Sequence, residues 1–183
     1  MKKMTLSVAM LALSSMAAFA ADPFTLTSSS FKDGAIMDAK HAGNIKSNPN
    51  CVGENVSPEL RWSNAPPTGK SFVISVIDPE GASGLGSQHF LAYNIKPDVT
   101  GFAEGELSKP SDKFTGGKES AGTMVYRGPC PPAGLSPHHY VFTVIATDLE
   151  PGTLPAGLTR DELWEKLKGR AKGVAGTVGL FKR

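Results

Sequence analysis

Glycine and proline punctuate this chain so often that long helices have little room in it. All 20 Gly and 14 Pro lie beyond residue 20, so about a fifth of the remaining chain is backbone punctuation, well above average usage. Between the breaks run short, β-branched apolar stretches, which predict a mainly β domain. Ser71–Ile77 is almost continuously apolar, as a strand covered on both faces should be. Phe90–Ile95, Thr123–Tyr126 and Tyr140–Ala146 read as further strands, and Val174–Phe181, interrupted by Gly176 and Gly179, as the last. One helix is predicted from Thr159 to a stop at Gly173. Thr159 and Glu162 form a capping box, Leu163, Trp164, Leu167 and Ala171 make a stripe expected to pack on a sheet, and Lys166, Lys168, Arg170 and Lys172 suit the negative end of the helix dipole.

Residues 1–20 read as a cleaved signal peptide. Met1, Lys2 and Lys3 form a short positive start, Thr5–Ala17 is apolar, and Ala18, Phe19 and Ala20 give the small-x-small pattern cut before Ala21. The apolar run falls short of the ~20 residues a bilayer span needs, so no transmembrane anchor is expected, and residues 21–183 form one domain. Export to the periplasm is the expected consequence, with release from the cell as an extension of it. Without Lys2 and Lys3 the chain carries 17 basic and 17 acidic groups. That balance argues against a nucleic-acid binder, which needs a basic stripe to displace counterions from phosphates.

An oxidising compartment gives Cys51 and Cys130 only one pairing, and two free thiols remain the alternative. No C-x-x-C or H-x-x-x-H motif occurs, so no metal site and no cofactor is expected.

Polar residues gather at the ends of the predicted strands. Asp78, Pro79 and Glu80 come directly after the central strand. If 71–77 and 90–95 are antiparallel neighbours, the loop from Gly81 to Gln88 returns His89 to the same end of the sheet. His138 and Tyr140 share one face of another strand while His139 points to the other. His41, in a Gly/Asn/Lys loop, reads as a surface residue, and Ser57 and Pro58 as loop organisers.

Four ordered motifs lie between residues 54 and 147: Glu54 to Trp62, then Asp78-Pro79-Glu80, then His89-Phe90, then Gly128 to Pro132 leading to His138 and Tyr140. Together they resemble the phosphatidylethanolamine-binding protein (PEBP) family, also called Raf kinase inhibitor-like proteins, in its exported bacterial, YbcL-type form. The resemblance implies a PEBP-like fold: a large central antiparallel sheet packed with a smaller one, a helix near the C-terminus, and a small cavity for phosphate or a phospholipid head group. It carries over Asp78, Glu80, His89, Gly128, Pro131, His138 and Tyr140 as ligand-binding residues. The Gly/Pro turn is expected to offer an anion nest of backbone N–H groups. Three positions depart from the family pattern: Glu80 where Asp is usual, Phe90 where Trp is frequent, and His139 where Arg is common, which removes a bidentate anion contact.

The resulting expectation is a non-enzymatic exported binding or regulatory protein, its protein partner unspecified, with a homodimer left open. One alternative is a hydrolase or phosphate-transfer enzyme using Asp78 with His89 or His138. Neither a G-x-S-x-G elbow nor a base near Ser57 supports it. The other is an interaction protein working through its surface, independently of the pocket.

Overall fold

The computed structural model describes residues 22–183; the expected signal peptide lies outside the described residues. Among the described residues nine strands form two sheets. The larger has the order β2-β9-β8-β4-β5-β7, from Ala35–Ile36, Ala171–Phe181, His138–Thr147, Ser71–Asp78, Ser87–Ile95 and Thr115–Gly116. The smaller is β1-β3-β6, from Thr25–Thr27, Leu60–Ser63 and Gly101–Phe102. All pairs are antiparallel except β2 with β9, which is parallel; the expected antiparallel sheet therefore carries one parallel edge.

Burial on both faces explains the near-continuous apolar run of β4. Phe72, Ile74 and Val76 join Trp62, Phe102 and Phe142 in the core between the sheets, while Val73 packs with Leu91, Tyr93, Leu163 and Leu167 under the helix. The period of two along the strand sends alternate residues into the two cores.

The helix spans Arg160–Leu167 and has the expected capping box, with Glu162 N–H donating to the Thr159 hydroxyl and Thr159 N–H to the Glu162 carboxylate. It ends earlier than predicted. Gly169 adopts a left-handed φ of 72°, and Ala171, read as helical, already belongs to β9. Arg170 and Lys172 consequently pair with Asp148 rather than extending the helix. Leu163 and Leu167 bury the helix face, whereas Trp164, placed in that face from the sequence, is partly exposed at its edge.

Two further expectations are corrected. Thr123–Tyr126 is not a strand: the Glu119 carboxylate takes the N–H groups of Ala121 and Thr123, curling the chain where a ladder would have run. His41 is fully buried, not on the surface. Its Nδ1–H donates to the Val56 carbonyl, and its own carbonyl accepts the Tyr126 hydroxyl.

Candidate ligand-binding site

The Asp78 end of the central strand opens on a cavity of about 390 Å3. Strand β4 places Asp78 there. Its Oδ1 accepts the N–H groups of Glu80 and Gly81, each at 2.9 Å, a turn built by the Asp-Pro pair. Its Oδ2 accepts the Nδ1–H of His138 at 2.8 Å, with both side chains buried. His138 opens β8, and Tyr140, two residues on, shares its face as alternation requires.

His89 reaches the cavity by a less visible route. Val76 pairs with Phe90 and Ile77 with Gln88, leaving His89 as the extra residue of a β-bulge. Phe90 faces the core between the sheets, so in a regular strand His89 would point away from it; the bulge re-aims the ring. Its Nδ1–H donates to the Arg127 carbonyl at 2.7 Å, fixing the tautomer and leaving Nε2 as an acceptor. Burial, reinforced by the Arg127 charge, holds the pKa of His89 down to about 4, so the ring is neutral at neutral pH. The rings of His89 and Tyr140 make a T-shaped, edge-to-face contact with centroids 5.1 Å apart.

Tyr140 is 1% exposed, and among the described residues its hydroxyl has no hydrogen-bond partner. Burial pushes its pKa upward, and the Asp78 charge adds to the effect. The phenol is therefore a neutral donor held in reserve. Glu80 stands at the rim, where both of its oxygens accept from His139, one from Nδ1 at 2.7 Å and one from the backbone N–H at 3.1 Å. Partial burial opposes ionisation, but these donors win and bring its pKa down to about 2. As alternation predicts, His139 lies on the other side of the strand from His138 and is exposed.

Six of the seven residues carried over from the family pattern line this cavity: Asp78, Glu80, His89, Pro131, His138 and Tyr140. Gly128 does not. Its N–H donates to Asn55 Oδ1 at 2.8 Å, and a Cβ there would collide with the His41 carbonyl oxygen. Gly128 is needed for close backbone approach, and its N–H, already given to Asn55, is not free for the anion nest expected of its turn.

Sequence reasoning missed Arg127, which lines the cavity beside Ser87. Its Nε donates to the buried Glu119 at 2.7 Å and its Nη2 to Ser87 at 3.2 Å. Burial would raise the pKa of Glu119, but the Ala121 and Thr123 N–H groups and Arg127 lower it on balance. A lone Arg followed by Gly-Pro gives no hint of this pairing. The role of Asn55 is equally invisible in the sequence: at a left-handed φ of 61°, its amide holds both Tyr126 and Gly128. Cys51 and Cys130 are bridged, with Cα atoms 4.6 Å apart, and Cys130 lines the cavity. Ser57 is buried in the loop and accepts the Leu107 N–H.

Residues 27–182 match the family model for phosphatidylethanolamine-binding protein. The chain belongs to that family. A UPF0098 protein of Methanothermobacter thermautotrophicus is 36% identical over 147 residues, 77% of this chain and 92% of its own. Escherichia coli YbcL is 36% identical over 131 residues, 69% of this chain and 70% of its own. Its crystal structure, described as a new member of the mammalian PEBP family, superposes with a TM-score of 0.79 at 28% identity over 88% of this chain and 99% of that one. A Mycobacterium tuberculosis protein, LppC, named as a candidate lipoprotein, is 33% identical over 88% of this chain and 74% of its own. Among the described residues no helix is long and apolar enough to cross a membrane.

Proposed function

We propose that this chain is an exported, non-enzymatic binding protein whose cavity takes a small phosphorylated group, a phospholipid head group above all, and whose ligand state modulates a protein partner. One observation carries the reading: a buried tyrosine hydroxyl without a partner lies in one wall with two imidazoles, each oriented through Nδ1 by an oxygen acceptor. Such groups can meet a phosphate and its hydroxyl, while the rim carboxylate of Glu80 can meet an ammonium. With Arg127 committed to Glu119 and the ring of His89 neutral, a ligand bearing both charges suits the cavity better than inorganic phosphate. The family match supports the class of ligand, and the Cys51–Cys130 bridge supports an oxidising destination.

Calorimetric titration with phosphoethanolamine and with inorganic phosphate, chelator present, tests this reading. Phosphoethanolamine should bind more tightly than phosphate, and His138→Ala should lose most of that affinity. Equal absence of binding for both ligands would remove the pocket and leave surface interaction as the mode of action. The Asp78–His138 pair also has the geometry of an acid/base dyad. Release of an alcohol and a phosphomonoester from a phosphodiester, abolished in His138→Ala, would favour an enzyme instead.

A further inference from the structure

We propose that the chain carries a second ligand site, on the helix-covered face of the large sheet, for a small hydroxycarboxylate. The inference goes beyond the head-group reading and does not rest on it. The site is a cavity of about 380 Å3 lined chiefly by Gln88, Lys118, Ser120, Thr159, Arg160 and Asp161. It backs onto the first cavity: Ser87 and His89 line that one, and Gln88, between them in the strand, lines this one.

Gln88 is the observation that points to a ligand. It is 6% exposed, and its main chain is fully used: the N–H donates to the Ser120 hydroxyl and the carbonyl accepts the Ser120 N–H. Its Nε2 faces three acceptors, the Ser75 hydroxyl and the carbonyls of Val76 and Phe90. The reverse orientation would set the amide oxygen against two carbonyls, so the network fixes which atom is which. Oε1 is left buried and, among the described residues, without a partner. A buried acceptor in that state costs free energy that a donor would recover. A hydroxyl supplies the donor without carrying charge into a buried position, as an ammonium would.

The rest of the lining suits an anion. Among the described residues Lys118 has no ion pair, and Arg160 meets only its neighbour Asp161, at 3.5 Å, whose side chain is 91% exposed. Glu119 also lines the cavity, but its oxygens are filled by Ala121, Thr123 and Arg127. The helix Arg160–Leu167 begins here. Its Glu162 N–H goes to the Thr159 hydroxyl, whereas the N–H groups of Arg160 and Asp161 have no intrahelical acceptor, at the positive end of the helix dipole. The Ser120 hydroxyl, accepting from Gln88, keeps its own proton to donate. A planar carboxylate matches the fork of a guanidinium better than a round anion does. A buried acceptor and cations at the rim thus call for a molecule with a hydroxyl at one end and a carboxylate at the other.

NMR titration of the nitrogen-labelled protein with sodium lactate, glycerate and propionate, at constant ionic strength, tests the site. The three acids share a carbon skeleton; propionate lacks the hydroxyl, and lactate and glycerate together locate it. The amides of Lys118, Ser120, Arg160 and Asp161 and the side-chain amide of Gln88 should shift along one saturating curve. Lactate or glycerate should bind about fivefold more tightly than propionate, the worth of one hydrogen bond. Lys118→Gln, at an exposed position that should fold normally, should weaken binding about threefold. Absence of a saturable shift at these amides would overturn the proposal. So would equal affinity for all three acids, the mark of charge attraction alone, or equal affinity in wild type and Lys118→Gln. Because these acids carry no phosphate and phosphoethanolamine carries no carboxylate, either site can fail its titration while the other stands.

Discussion

Two acid–histidine pairs flank the start of strand β8, nearly equal in contact distance and unequal in burial. Asp78 and His138 meet at 2.8 Å with side chains 4% and 10% exposed; Glu80 and His139 meet at 2.7 Å with 41% and 53% exposed. The inner pair is fixed by the sheet on both sides and by two backbone N–H donors. The outer pair is tied to the fold chiefly through the His139 backbone. Water screens the outer pair and competes for its donors, whereas removing one member of the inner pair leaves its partner buried and uncompensated. Distance alone therefore says little about what a pair is worth, and burial decides which one holds the site's shape.

The largest effect should come from the inner pair. His138→Ala leaves the Asp78 carboxylate buried without its imidazole and should cost about 3–5 kcal/mol of stability in urea unfolding; a loss below about 1 kcal/mol would erase the distinction between the pairs. Next comes the pH dependence set by His89, whose pKa of about 4 in the fold lies below the ordinary 6.5. As pH falls below 6.5 the unfolded chain takes up a proton that the folded chain refuses, so stability declines toward pH 4. That contribution, about 3 kcal/mol when complete, should be missing in His89→Asn, giving a flatter plot of unfolding free energy against pH; parallel plots would contradict it. A smaller effect is expected for Tyr140→Phe, which removes a hydroxyl with no partner in the protein. Stability should stay within about 1 kcal/mol of wild type while phosphoethanolamine affinity falls several-fold, which separates the ligand-facing group from the scaffold. Least of all, His139→Ala should change stability by under about 1 kcal/mol, and by less still at high salt.

Much of this site is legible in the sequence because strands obey simple rules. Alternation puts His138 and Tyr140 on one face and His139 on the other, and the apolar run of β4 places Asp78 at its end. The chain connection brings His89 to the right end of the sheet, but the bulge that turns its ring into the cavity leaves no mark in composition or periodicity. The motif assigns Gly128 to the pocket, whereas its lack of a Cβ serves the approach to the His41 carbonyl. The burial of His41 and the curl after Glu119 depend on side chains that bind backbone groups in loops, and the Arg127–Glu119 pair on two side chains meeting between loop positions, contacts for which no local pattern exists. Helix length is overestimated for a related reason: Lys166 to Lys172 looks helical in charge and period, but the left-handed turn at Gly169 and the pull of β9 prevail.

The convergence of Asp78, His89, His138 and Tyr140 on a single ligand cavity is tested most directly by NMR on the protein with labelled histidine and tyrosine rings, titrated with phosphoethanolamine in the presence of chelator. The His89, His138 and Tyr140 rings should shift together along one saturating curve while the buried His41 moves little. Shifts confined to His139, or separate curves for the three inner rings, would contradict a shared cavity.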